Sequence, residues 1–494
     1  MKTFNIKRIL LGSLSLAIAV GLLVMSGFMP VPVFAQGMMG MRGMMGGMHG
    51  SDIQLVQQEG EYKALSIPPI LEPDTADGNA RHYTLTMQQG QTQFRQGTAT
   101  QTLGYNGSFL GPTFVLKKGE DIQVRLQNRM QEETTVHWHG LIVPSEADGG
   151  PHQVIKPGAD RAVAFSVKQE AATLWYHPHP MGRTGIQVYE GLAGLLLVED
   201  DSELGRDLPA QYGVDDVPLV VQDRSFTAGM QFDYYGTYNP DGMLGDTLLV
   251  NGTIHAAFDV TTQLLRLRLL NGSNARVYDF RLSDGSPFLQ IASDGGLLNE
   301  PVVLQSLRLT PGERAEILLS FKGMQPGGHL DLMSGDTNVL RLNVAGELAE
   351  NGSIPATLNS LAAAIDSGGV DRRFVLSGMG MMVSINGDIY DMNRIDEYGF
   401  TQTDEVWEVY NRPDMMGGMV HSFHLHGTQF RVLTRDGAAP PLNERGWKDT
   451  VAMDAGERVR LLVRFSEPGL FMYHCHILEH EDNGMMGQIE VKAK

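Results

Sequence analysis

One pattern occurs three times along this 494-residue chain. Val124-Arg-Leu-Gln-Asn128-Arg129, Leu267-Arg-Leu-Leu-Asn271-Gly272 and Trp407-Glu-Val-Tyr-Asn411-Arg412 each read as an alternating strand that ends at an asparagine turn. Downstream of each lies a turn that opens another alternating strand. These turns are Pro157-Gly158-Ala159-Asp160-Arg161, Pro311-Gly312-Glu313-Arg314 and Ala455-Gly456-Glu457-Arg458. A repeat built only of strand and turn predicts an all-β chain of three tandem Greek-key β-sandwiches. The length agrees, at roughly 150 residues per domain. Boundaries are expected near Asp201 and in the polar, small-residue stretch 350–371, which gives domains 52–201, 202–370 and 371–494.

The N-terminus reads as an export signal over 1–35. Lys2, Lys7 and Arg8 precede an apolar run, and Val33-Phe34-Ala35 offers a small-residue cleavage site after Ala35. Retention as a membrane anchor is the rival reading. With Lys7-Arg8 in place of a twin arginine, the general export route is expected. The mature protein is therefore expected in the periplasm or another extracytoplasmic space, as a monomer with no stable membrane insertion. Residues 36–51 carry six methionines among glycines with no periodicity, and read as a disordered tail. A net charge of −19 argues against nucleic acid as a partner.

Cys475 is the only cysteine, so no internal disulfide can form. It lies in Tyr473-His474-Cys475-His476, with His480 and Met485 just beyond. A cysteine, two histidines and a weak axial methionine form a blue-copper ligand set, and His421 can supply the second histidine. Four His-x-His pairs accompany it: His137/His139, His177/His179, His424/His426 and His474/His476. Random placement of 15 histidines predicts about half such a pair. On a strand, residues i and i+2 share a face, so each pair presents two imidazoles together. The same alternation sends Cys475 to one face and its flanking histidines to the other. Tyr176-His177-Pro178-His179 occupies the position of Tyr473–His476 in the first repeat, and Leu332-Met333-Ser334-Gly335 occupies it in the second. The middle domain therefore reads as a spacer without metal, and Pro178 excludes a thiolate site from the first.

Four signatures carry a resemblance. They are His137-Trp138-His139-Gly140, Trp175-Tyr176-His177-Pro178-His179, His421-Ser422-Phe423-His424-Leu425-His426-Gly427, and His474-Cys475-His476 with His480 and Met485. Over about residues 80–494 the chain resembles the multicopper oxidases. It is most similar to bacterial periplasmic cuprous oxidases and to bilirubin oxidases, a placement supported by His426–Phe430, Gly446–Thr450 and Leu478–Asp482. The resemblance implies cupredoxin-like domains and four copper ions. His421, Cys475, His480 and Met485 would bind type 1 copper, and His137 and His424 type 2 copper. His139, His177, His179, His426, His474 and His476 would bind the type 3 pair. It implies dioxygen as the acceptor, reduced to two waters by four one-electron oxidations. Asp148 and Glu481 match the family's proton-delivering acids.

For the reductant, methionine is the signal, because thioethers select Cu(I). Met379, Met381 and Met382 precede a strand, and Asp414, Met415, Met416 and Met419 precede His421. Cu(I) in copper detoxification is the first expectation. A small phenolic or other organic reductant, in the manner of laccase or bilirubin oxidase, is the second. A non-catalytic copper-binding structural protein is the third, and a missing ligand would favour it. None is missing. Copper nitrite reductases lack the eight-histidine cluster.

Overall fold

The computed structural model describes residues 53–200, 202, 206–414 and 417–494. The expected signal, the methionine tail, Met415 and Met416 lie outside the described residues. Among the described residues no helix is long and apolar enough to cross a membrane.

The regular structure is almost entirely strand, arranged among the described residues as six sheets. The three repeat strands are Asp121–Asn128, Leu264–Asn271 and Glu405–Asn411. Each pairs in parallel with an upstream strand: Ala80–Thr92, Asp216–Arg224 and Arg372–Ser377 respectively. Each also pairs antiparallel with the strand opened by its downstream turn: Asp160–Ser166, Arg314–Ser320 and Arg458–Val463. The alternation of Asp121–Asn128 buries Ile122, Val124 and Leu126 and exposes Asp121, Gln123 and Arg125, as a sheet with one wet face requires.

The terminal asparagines are buried, and each does the same work. Asn128 Nδ2 donates to the carbonyls of Glu132 and Ile155, Asn271 Nδ2 to those of Arg276 and Leu309, and Asn411 Nδ2 to those of Met419 and Met453. A side-chain amide supplies two donors where the ladder ends, so no buried carbonyl is stranded there.

Three apolar cores follow the three sandwiches. One strand departs from chain order. Lys63–Ala64 lies parallel to Ala256–Ala257 at the edge of a middle-sandwich sheet, and Leu65 enters that sandwich's core.

Two inner strand pairs set up the histidines. His137–His139 pairs with Ala172–His177, placing His137 opposite His177. His421–Leu425 pairs with Gly469–Cys475, placing His424 opposite His474 and Phe423 opposite Cys475.

Candidate metal centre

Cys475 ends the strand Gly469–Cys475 and is fully buried in the third core, together with Met485. Its Sγ lies 3.4 Å from His421 Nδ1 and 3.7 Å from His480 Nδ1. His480 rides on the short helix Leu478–Asp482, which begins three residues after the cysteine. The chain then turns back: Met485 N donates to His480 O at 2.8 Å and Cys475 N to Met485 O at 3.0 Å. Burial pushes the Cys475 thiol up to about 12. Burial also lowers His421 to about 4, against opposing pulls from Asp414 and a backbone hydrogen bond to Gly378, and holds His480 well below the usual imidazole range. A protonated thiol beside two neutral imidazoles is a site that gains a soft cation by releasing a proton.

The eight paired histidines converge from the first and third sandwiches and are all buried. Burial holds His137, His474 and His476 down to about 3, and the other five well below 6.5. Neutral imidazoles leave lone pairs that cannot satisfy one another. His474 Nε2 nevertheless sits 3.2 Å from His179 Nε2 and 3.0 Å from His426 Nε2, so three nitrogens point at one locus. His139 Nδ1 lies 3.4 Å from His177 Nε2, with the His476 ring centroid 4.9 Å and 5.4 Å from those two rings. The six histidines expected at the type 3 pair thus sort into two trios, which sequence alone had not divided. Trp175 stacks on His177 at 4.1 Å.

In seven of the eight histidines the remaining ring nitrogen has a polar partner, as metal-binding histidines require, and His476 is the exception. His177 and His474 each use Nδ1 on the carbonyl of the next residue, at 2.9 Å and 3.1 Å. Two aspartates repeat one arrangement in mirrored form. The Asp148 carbonyl accepts from His137 Nδ1 at 2.9 Å and from Trp138 N at 3.3 Å, while its Oδ2 lies 2.8 Å from His426 Nδ1. The Asp449 carbonyl accepts from His424 Nδ1 at 2.8 Å and from Leu425 N at 3.1 Å, while its Oδ1 lies 3.0 Å from His139 Nε2. Each aspartate therefore holds one histidine of its own sandwich by backbone and one of the other by carboxylate. His139 is the exception in ring orientation, because its Nε2 is tied and its Nδ1 faces the cluster.

Glu481 bridges His179 Nδ1 at 3.2 Å and His474 Nδ1 at 3.3 Å. Burial raises Asp148 to about 8 and Glu481 well above the carboxylate range. Burial thus favours the protonated form of both acids where they touch the cluster.

The donor set fits copper. His137 Nε2, His424 Nε2 and both nitrogens of His476 are buried without a hydrogen-bond partner, and an orphan of this kind costs ~1–3 kcal/mol unless a cation takes it. Buried imidazoles with one thiolate match copper in ligand softness.

Sequence reasoning missed Asp449 and Arg314. Arg314, from the middle sandwich, forks onto Asp449 with Nη1 to Oδ1 at 2.7 Å and Nη2 to Oδ2 at 2.6 Å, and both side chains are fully buried. The one signal in the sequence was Asp449's place in Gly446–Thr450, a stretch that carries the family likeness.

The methionine candidates divide. Met381 and Met382 are 71% and 82% exposed on the turn that begins at Gly378, whereas Met419 packs against the third core. Asp414 accepts from Gly418 N at 2.9 Å, and its charge acts on His421.

Two family models described as multicopper oxidase match residues 86–203 and 361–494. A multicopper oxidase of Staphylococcus epidermidis is 42% identical over 444 residues, covering 90% of this chain and 95% of the relative. The cell division protein FtsP of Shigella dysenteriae is 36% identical over 460 residues, covering 87% and 93%. The crystal structure of a laccase from Pediococcus acidilactici superposes with a TM-score of 0.86 at 44% identity, covering 90% and 96%.

Proposed function

This chain belongs to the multicopper oxidase family, and on that premise we propose that it is a cuprous oxidase, taking electrons from Cu(I) and passing them to dioxygen. His421, Cys475, His480 and Met485 would hold type 1 copper, and His137 and His424 type 2 copper. His139, His177 and His476 would hold one type 3 ion, and His179, His426 and His474 the other. Bound there, the four coppers supply one-electron transfer and the four-electron reduction of dioxygen to two waters.

The chain's own residues do the rest. The backbone joining Cys475 to His474 and His476 is the covalent link between the sulfur site and the histidine cluster. Asp148 holds a proton at the carboxyl beside His426, and Glu481 holds one between His179 and His474. These are the positions from which protons reach the reduced oxygen. Burial of all eight imidazoles excludes bulk water from the cluster.

The observation that carries the Cu(I) reading is the turn from Gly378 to Met382. Gly378 is hydrogen-bonded to His421, while Met381 and Met382 present soft sulfur to solvent on the same turn. His480 is fully buried, so a bulky organic reductant cannot touch it. Likeness to a laccase supports oxidation of phenols as a second reading. The test is oxygen uptake with Cu(I) and with a simple phenol for the wild type and for Met381→Leu with Met382→Leu. The double substitution should raise KM for Cu(I) about tenfold, ~1.4 kcal/mol of binding, and spare the phenol. Unchanged Cu(I) kinetics would remove this turn from the substrate site.

A further inference from the structure

We propose that Arg314, supplied by the metal-free middle sandwich, is a positioning residue for the histidine cluster: it locks Asp449 and through it sets His139 and His424. The inference rests on the assignment of those two histidines as copper ligands.

The mirrored aspartates carry the argument. Asp148 and Asp449 make equivalent contacts to the two halves of the cluster, yet their carboxylates are treated differently. Among the described residues no arginine or lysine lies within ion-pair distance of Asp148. Asp449 receives a two-pronged guanidinium. A bidentate fork fixes the plane of a carboxylate as well as its position. That plane decides whether Oδ1 meets His139 Nε2, and so which nitrogen of His139 faces the metal.

Arg314 is itself immobilised. Nε donates to Thr173 O at 3.0 Å, Nη1 to Gly312 O at 3.0 Å and Nη2 to Asp294 O at 3.0 Å. With the two bonds to Asp449, all five donors are used. The surroundings leave no slack. A Cβ on Gly140, the residue after His139, would lie 2.6 Å from Asp449 Oδ2 and 2.7 Å from Arg314 Nη2. A Cβ on Gly312 would meet the His476 ring at 3.0 Å. The turn Pro311–Arg314, which holds no metal ligand, is thus pressed against the cluster.

A different role, simple docking of the middle sandwich on the third, has its own residues next door. Arg308 of the middle sandwich forks onto Asp454 of the third, with Nη1 to Oδ2 at 3.1 Å and Nη2 to Oδ1 at 2.9 Å. Among the described residues Asp454 makes no ion pair with a cluster histidine or with Arg314, so Arg308 separates docking from positioning.

The experiment uses copper-loaded holoprotein and measures copper per chain after dialysis, the type 2 electron paramagnetic resonance signal and the blue absorption. Arg314→Met should keep the blue centre, weaken copper retention in the histidine cluster about 10–100-fold and alter the type 2 signal. Arg314→Lys, which keeps the charge and loses the fork, should move the same readouts in the same direction. Arg308→Met should leave them as in the wild type. Full copper content with an unaltered type 2 signal in Arg314→Met overturns the proposal. So does an equal loss in Arg308→Met, or loss of the blue centre together with the cluster in both Arg314 variants, since either result assigns Arg314 to holding the fold. A wild-type holoprotein without cluster copper would instead overturn the ligand assignments.

Discussion

The first and third sandwiches build the same half-site and then diverge at one position. In both, a strand ends in His-x-His, and the first histidine bonds the carbonyl of the middle residue: His177 to Pro178 and His474 to Cys475. In both, a short helix follows, Thr184–Glu190 or Leu478–Asp482, and Asp482 joins the two by accepting from Thr184 N and Gly185 N. The middle residue differs. Pro178 has no N–H and no ligand atom. Cys475 donates its N–H to Met485 O and turns its sulfur into the apolar core. The helix after Pro178 contains no histidine, whereas the helix after Cys475 carries His480. A duplicated frame yields two matching halves of a histidine cluster. The sulfur site needs several departures from that frame at once, concentrated in the third sandwich.

Substitutions probe this contrast. The largest effect is expected from Cys475→Ser. It should abolish the blue absorption and cut oxygen uptake by more than the ~100-fold that loss of a supporting group costs, while copper stays in the histidine cluster. Metal analysis with oxygen electrode traces checks both, and sustained oxygen uptake would break the division between the two sites. Asp148→Asn should come next. Turnover is expected to fall about 10–100-fold with the blue spectrum intact, because only the cluster half loses an acid. A bleached spectrum would mean that the two sites are not separable in this way. Pro178→Cys should have the smallest effect. Lacking counterparts of His480 and Met485, it should give no second blue centre, and titration with copper should show one blue chromophore per chain. A second chromophore would show that the frame alone suffices.

The histidine pairs, Cys475 and the three strand-and-turn repeats were legible in the sequence, because strand alternation has a period of two and puts paired ligands on one face. Asp148 and Glu481 came only with the family resemblance. The asparagines ending the repeat strands showed as turns; that each amide pins two carbonyls did not show. Asp449 and Arg314 were not legible as functional residues. Their partners lie 310 and 135 residues away, and nothing local distinguishes one aspartate among 57 acidic residues. The ring orientation of His139 was hidden for the same reason, since it depends on which nitrogen a distant carboxylate takes. The strand Lys63–Ala64 is too short to carry any pattern.

That short strand also bears on how the protein is made. A segment synthesised before the first sandwich completes the edge of the second, so the earliest part of the chain must wait for Ala256–Ala257 before it settles. Contacts this distant in sequence slow folding. In vectorial, domain-by-domain maturation the segment stays unpaired until the middle sandwich forms, and affinity tags or truncations that intrude on it should impair that sandwich rather than the one they adjoin.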